Sequence, residues 1–130
     1  ILNHWDNLDD TVERGYAGLS MWEWTAKEIP TERIHHYGEL CASVGLNGAV
    51  LNNVNANPLI LDKEHIERVA QIANILREYG ITTYLSIKWT SPVTLDGLKS
   101  GDPLDPKVRQ WWKNKAAEIY TAIPISAAFS

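Results

Sequence analysis

Cysteine is nearly missing from these 130 residues: Cys41 stands alone, so no internal disulfide can form. It lies among Leu40, Ala42 and Val44 in a segment that reads as helix, the usual setting of a small buried hydrophobe, and it leaves the redox compartment open. No apolar run approaches the length of a membrane-crossing helix. Neither sign of charge dominates: basic and acidic residues are interspersed to a formal charge of −4, which leaves no electrostatic footprint for nucleic acid or an anionic membrane. The histidines, His4, His35, His36 and His65, show no metal-ligand spacing with cysteine or acidic partners, and neither metal nor cofactor is expected. The opening Ile1-Leu2-Asn3-His4-Trp5-Asp6 has neither the basic start nor the apolar middle of a signal peptide, and no initiator methionine precedes it. The chain is therefore expected to begin partway through something larger, with cytoplasmic placement if the source is bacterial.

What is present is one rhythm, in a chain long enough for a single core. Ile1 to His4 reads as a short strand, and Asp6 to Lys27, with Gly15 and Gly18, as a long loop of the kind that tends to be functional. From Thr31 the apolar Ile34, Tyr37, Leu40, Cys41 and Val44 recur at helical spacing, and Gly45 follows the helix end. Ala49 to Asn53 reads as a strand. A second helix is expected with Asp62 as its N-cap, Ile66, Val69, Ala70, Ala73 and Leu76 facing inward, and Gly80 closing it. Ile81 to Lys88 is the third strand, followed by a loop with Pro92, Gly97, Gly101 and Pro103. Asp105 and Pro106 match the N-cap and first turn of a third helix, whose stripe is Val108, Trp111, Trp112, Ala116, Ile119, Tyr120 and Ile123. Ile125 to Ser130 looks like the start of a fourth strand.

Strands and helices that alternate at this spacing predict an α/β fold with parallel strands joined by right-handed crossovers. A doubly wound open sheet would be complete at this length, whereas a (β/α)8 TIM barrel needs about 250 residues and would be represented by its first three and a half βα units. A dinucleotide-binding fold would place Gly-x-Gly-x-x-Gly after the first strand, and Gly15-Tyr16-Ala17-Gly18 has neither that spacing nor that position, which favours the partial barrel. Either architecture binds ligands at the C-terminal ends of its strands. There the sequence places Trp5, Asp6 and Asn7 after the first strand, Asn52, Asn53 and Asn55 after the second, and Lys88 and Trp89 after the third. Amides, a cation and indoles on one rim suit carbohydrate, because amides serve sugar hydroxyls as donor and acceptor while aromatic rings cover the apolar pyranose face. Asparagines also build Asx-turns in loops, and each of them taken singly admits that reading.

Four stretches carry a resemblance: Asn3-His4-Trp5-Asp6-Asn7-Leu8-Asp9; Glu13-Arg14-Gly15-Tyr16-Ala17-Gly18; Leu51-Asn52-Asn53-Val54-Asn55-Ala56-Asn57; and Asp102-Pro103-Leu104-Asp105-Pro106 with Val108-Arg109 and Trp111-Trp112. In that order, over roughly residues 1–124, they are similar to the α-glucuronidases of glycoside hydrolase family 67. The resemblance implies an enzyme that removes glucuronic acid or its 4-O-methyl ether, with inversion, from its α-1,2 linkage to xylo-oligosaccharides in xylan breakdown. It implies that residues 1–130 are the N-terminal portion of the barrel, with the remainder of the parent enzyme, itself expected as a homodimer, as partner. The catalytic acid and base are expected on the fourth and later strands, beyond residue 130, so that this chain alone would be inactive. Two stretches depart from the family. Ile125-Ser126-Ala127-Ala128-Phe129 stands where Asp-Phe-Gly-Gly-Phe is typical, and Lys88-Trp89 where an Asn-Phe-like pair is commoner.

The substrate-binding candidates are therefore Trp5, Asp6, Arg14, Asn52, Asn53, Asn55 and Lys88. Arg14 could orient the substrate carboxylate by two parallel bonds, or pair with Asp9 or Glu13. The loop acids Asp6, Asp9, Asp10, Glu13 and Glu23 are read as solvated or bound to nearby backbone, and His35 and His36 as facing water. Trp111 and Trp112 are read as packing. Two other functions stay open: a non-catalytic carbohydrate-binding module, and a complete doubly wound domain with an unrelated small ligand.

Overall fold

A computed structural model describes residues 1–15, 18–123 and 127–129. The strands β1 (Leu2–Asn3), β2 (Gly48–Val50), β3 (Thr82–Leu85) and β4 (Ala127–Phe129) form one sheet in the order β1-β2-β3-β4, and every pair is parallel. Sequence neighbours are thus spatial neighbours, and the order has no reversal. The α/β expectation with parallel strands is met. For the expected fourth strand, Ile125, Ser126 and Ser130 lie outside the described residues, while Ala127–Phe129 pair with Thr83–Leu85.

Helices α1 (Thr31–Ser43), α2 (Lys63–Arg77), α3 (Ser91–Asp96) and α4 (Pro106–Ala122) supply the crossovers. Ala49, Leu51, Ile81 and Leu85 join Ile34, Tyr37, Ile66, Val69, Leu76 and Ile119 in one apolar cluster. Because side chains alternate along a strand, Gly48, Val50, Thr82 and Tyr84 point to the opposite face, and none of these four belongs to that cluster. The caps match their chemistry: Asp62 accepts the His65 N–H at 2.8 Å and Asp105 the Lys107 N–H at 2.8 Å.

Several assignments are corrected. In α1 the inward stripe is Ile34, Tyr37, Gly38 and Cys41, whereas Leu40 and Val44 are 69% and 73% exposed. At 100° per residue Leu40 lies about 110° from the centre of that stripe, so apolar character alone misled. In α2 fully buried Ile72 joins the expected inward face, on which Ala70 packs half-buried against the core, and in α4 Tyr120 is 47% exposed. A short 3-10 helix, Pro58–Leu61, buries Ile60 and Leu61, and α3 occupies part of the segment expected as loop. His35 does not simply face water: its Nδ1 is 2.8 Å from the Tyr79 hydroxyl.

Strands β2 and β3 are shorter than expected because a side chain takes over their ladder. Past Leu51, the Asn52 amide accepts the Ser86 N–H at 2.9 Å and donates to the Ser86 carbonyl at 3.0 Å, as a paired peptide unit would.

Gly38 sits on the buried face of α1 because the Tyr79 ring comes close; an added Cβ would lie 2.4 Å from its Cδ2. Alanine at this position would gain about 1 kcal/mol of helix propensity, but overpacking typically costs about 1–3 kcal/mol. Gly38→Ala is therefore expected to lower the unfolding midpoint of the protein carrying this chain, despite the better helix former. A raised midpoint in thermal or denaturant unfolding would contradict this packing.

Candidate functional site

The C-terminal ends of β1 and β2 are joined first by backbone. His4 N–H donates to the Val50 carbonyl at 3.0 Å, and Asn53 N–H to the Asp6 carbonyl at 2.9 Å. The loop after β1 then folds around two carboxylates. Asp6, 4% exposed, accepts Ser20 Oγ at 2.6 Å and the Met21 N–H at 2.9 Å, with His4 Nδ1 3.7 Å away. Burial would raise the Asp6 carboxyl, but bonds from His4 and Ser20, the His4 charge and the Met21 amide together hold it below its ordinary value. Asp10 takes the Trp24 N–H at 2.6 Å and the Thr25 N–H at 3.1 Å, and binds the Thr25 hydroxyl as well. Asp6 and Asp10 thus serve backbone and hydroxyl groups of the loop, and Asp6 is enclosed rather than solvated.

Arg68, on α2, closes the far end of this loop: its guanidinium donates to the carbonyls of Glu23 at 2.8 Å and Ala26 at 2.6 Å. Asp10, Arg14 and Glu23 all adopt positive φ, at 69°, 63° and 49°. Such strain persists only where surrounding contacts over-determine the backbone, as they do at Asp10 and Glu23.

His4 and Asp6 hold Trp5 from both sides. The His4 Nε2 is 2.8 Å from the Tyr37 hydroxyl, and Trp22 lies edge-on to both rings, at 5.1 Å from His4 and 5.3 Å from Tyr37. Burial first, then neighbouring Cys41 and the Asp6 charge, push the Tyr37 phenol well above its usual range, so it remains a proton donor. With both neighbours pinned inward, Trp5 stands 37% exposed at the end of β1, its carbonyl accepting the Glu13 N–H at 3.0 Å. A cleft of about 410 Å³ beside it is lined by Asn3, His4, Trp5, Asp6 and Val12. The Arg14 guanidinium lies over the indole, 5.6 Å from the ring centroid. The Arg14 pairing offered with Asp9 or Glu13 is replaced by this stacking: Asp9 accepts the Thr11 N–H at 3.0 Å, and Glu13 holds amides.

Those amides are Asn53 and Asn55. Asn53 donates to Glu13 and, at 2.8 Å, to Asn7, and its own oxygen accepts the Asn55 N–H at 2.9 Å; Asn55 donates to Glu13 at 3.1 Å. The structure therefore brings Trp5, Arg14, Asn53 and Asn55 to one rim with Asn7 and Glu13. Asn52 is directed instead into the sheet and Asp6 into the loop core. Lys88 is exposed on the next strand end, where it lines a separate cleft with Asn55. Glu13 as the hub of two asparagines, Arg68, and the His4–Tyr37 contact were not legible, since no local spacing links residues more than thirty positions apart. No group of three or more His, Cys, Asp or Glu side chains among the described residues could hold a metal ion.

A parallel β/α unit with indoles, amides and cations gathered at the C-terminal ends of its strands belongs to the α/β class, whose members bind ligands at those ends. Comparison with known proteins narrows that class. Residues 1–130 match the glycosyl hydrolase family 67 middle domain, and the chain belongs to this family. It is 43% identical over 129 residues to the probable alpha-glucuronidase A of Aspergillus terreus, covering 98% of this chain and 15% of that protein. It is 42% identical over 134 residues to the alpha-glucuronidase A of Emericella nidulans, covering 98% and 16%, and 40% identical over 132 residues to that of Aspergillus tubingensis, covering 98% and 15%. The chain thus spans about 15% of the length of these relatives.

The depressed Asp6 carboxyl has a consequence for acid stability. Its contribution is present above the unfolded carboxyl value of about 4 and is lost as pH falls through the lower folded value. Asp6→Asn should therefore destabilise the protein at neutral pH by about 1–3 kcal/mol, with the gap to wild type closing on acidification. Denaturant unfolding at pH 7 and pH 3 checks this; an equal gap at both would overturn the role assigned to the charge.

Proposed function

We propose that this chain is the N-terminal part of the (β/α)8 catalytic barrel of an α-glucuronidase. The parent enzyme hydrolyses, with inversion, the α-1,2 linkage of glucuronic or 4-O-methylglucuronic acid to xylo-oligosaccharides. The observation that carries the reading is the rim: Trp5, Arg14, Asn53 and Asn55 converge at the ends of adjacent parallel strands in a chain of family 67. Two features of the sheet support the barrel. Its order β1-β2-β3-β4 has no reversal, whereas a doubly wound sheet reverses at its switch point. The helix-side cluster lies on one face, and parallel sheets are ordinarily covered on both, in a barrel by closure of the sheet on itself.

At this rim Trp5 covers the apolar face of a pyranose, with Arg14 stacked on the indole, while Asn53 and Asn55 meet its hydroxyls from positions fixed by Glu13. An inverting mechanism also needs an acid for the leaving oxygen and, about 6.5–9.5 Å from it, a base for water. Asp6, Asp9, Asp10 and Glu13 are committed to amides and hydroxyls and the Glu23 carboxylate lies 3.6 Å from Arg33; the catalytic pair is assigned to strands beyond residue 130. The protein carrying this chain should release glucuronic acid from aldouronic oligosaccharides, and residues 1–130 alone should release none. Trp5→Ala in that protein should lower kcat/KM about tenfold, about 1.4 kcal/mol of lost stabilisation. Saccharide binding by the whole protein without turnover would favour the non-catalytic module instead.

The partial barrel also predicts the state of the isolated chain. Half-buried Tyr84 faces the side meant for the barrel interior, where Val50 is already covered, and the sheet edges await further strands. Apolar surface left in water costs about 25 cal/mol per Å², so a gap of several hundred Å² would remove about 10 kcal/mol, comparable with the stability of a domain. Residues 1–130 should associate or be molten by light scattering and near-UV dichroism. A monomer with a cooperative melt would restore the complete-domain alternative.

A further inference from the structure

The side of the chain along β1 is open from the sheet to the helix layer. Among the described residues β1 pairs with β2 alone, so its outer edge carries unpaired backbone groups, and Ile1 and Leu2 are exposed there. The helix above it has two unlike flanks. One flank of α1 meets Tyr79, just past α2: His35 Nδ1 is 2.8 Å from the Tyr79 hydroxyl, and Gly38 lies close to the same ring. The other, about 70–110° round the helix from the inward stripe, carries Arg33, Leu40 and Val44. Leu40 and Val44, four positions apart, form one exposed apolar ridge. Towards the end of β1, Arg33 shares a cleft of about 750 Å³ with exposed Leu19 and with His4 and Asp6, the residues that pin Trp5. A free strand edge, an apolar helix flank and the largest of these clefts therefore share one side.

We infer that this side is a seam on which a further β/α unit of the same polypeptide docks, its strand parallel to β1 and the helix after that strand laid on Leu40 and Val44. This rests on the barrel reading and adds to it the surface that receives the closing unit and the effect of closure on the Trp5 station. The occupant follows from the material and from the handedness. This chain spans about 15% of the length of its relatives, so the polypeptide that carries it holds further units. In a right-handed crossover the helix lies over the strand before it and that strand's next neighbour, so a helix after a strand paired with β1 comes to rest on the α1 flank turned away from Tyr79. The Leu40–Val44 spacing is that of the ridges by which helices interlock. At its C-terminal end the docked strand delivers its loop to the cleft, where it shuts water from His4 and Asp6. Trp5 is then held by a sealed mount.

The test uses the whole protein carrying this chain, with Leu40→Cys on the flank, Leu19→Cys at the cleft and Glu39→Cys on the exposed outward face of the same helix as reference. Each variant is labelled with a maleimide and the modified residue is located by mass spectrometry. In the folded protein positions 19 and 40 should react about a hundredfold more slowly than position 39, at every protein concentration, and all three should react alike in denaturant. A benzophenone amino acid in place of Leu40 should crosslink to a helix of the same polypeptide. Labelling of position 19 or 40 as fast as position 39, in a protein that releases glucuronic acid, refutes the seam and leaves the glycosidase reading standing. Protection lost on dilution, or a crosslink to a second copy or to a segment that is not helical, refutes it as well. Protection with the helix crosslink in a protein that releases no glucuronic acid keeps the seam and overturns the glycosidase reading.

Discussion

The reciprocal pairing of the Asn52 side chain with the Ser86 backbone is the interaction on which the rim depends. Both residues are buried, and each bond serves a peptide group that would otherwise end its strand unsatisfied. An unmade bond at such a place costs about 1–3 kcal/mol, as much as a large core truncation can. With an amide standing in for a peptide, β2 and β3 remain registered past their last ladder bond. The chain can then diverge on both strands without exposing buried backbone. Asn53 and Asn55 on one side, and Lys88 and Trp89 on the other, are presented from that shared fixed point.

The first loop follows a different rule, because it is long and has little apolar material of its own beyond Trp22 and Trp24. Charge organises it. Asp6 and Asp10 gather amide hydrogens from residues 20–25, and Arg68 gathers the carbonyls of Glu23 and Ala26. Anions collect donors and a cation collects acceptors, so the loop has a defined path without a repeating backbone ladder. Arg68 can do this while 8% exposed because its planar guanidinium offers several fixed donors, as a lysine could not. The path carries Trp5 and Arg14 to the rim.

Much of this was legible in the sequence, and the part that was not has a physical reason. Helix caps at Asp62 and Asp105 and the Gly45 and Gly80 stops are local chemistry, and they lie where the sequence places them. Parallel pairing followed from the separations between strands. The inward faces were less secure, since Leu40 and Val44 are apolar yet lie off the stripe set by Ile34, Tyr37 and Cys41. Candidate site residues were found as a set at the strand ends, but their division into structural and presented groups was hidden. Nothing in Asn52-Asn53 says that the first amide turns into the sheet and the second toward Glu13. That division depends on contacts more than thirty residues away.

Exposure completes the division. Asp6 and Asn52 are buried with their polar atoms bonded inside the protein, and a ligand could reach them only by breaking bonds that hold the rim together. Trp5, Arg14, Asn55, Lys88 and Trp89 retain exposed surface around the clefts, while Asn53 and Glu13 fix the spacing between them. A polar cluster at strand ends therefore contains two populations, one that holds the strands in register and one that meets a ligand. Recognition by rings, amides and cations requires both, because a pyranose is read by several weak contacts at once and each loses its worth if its carrier can move.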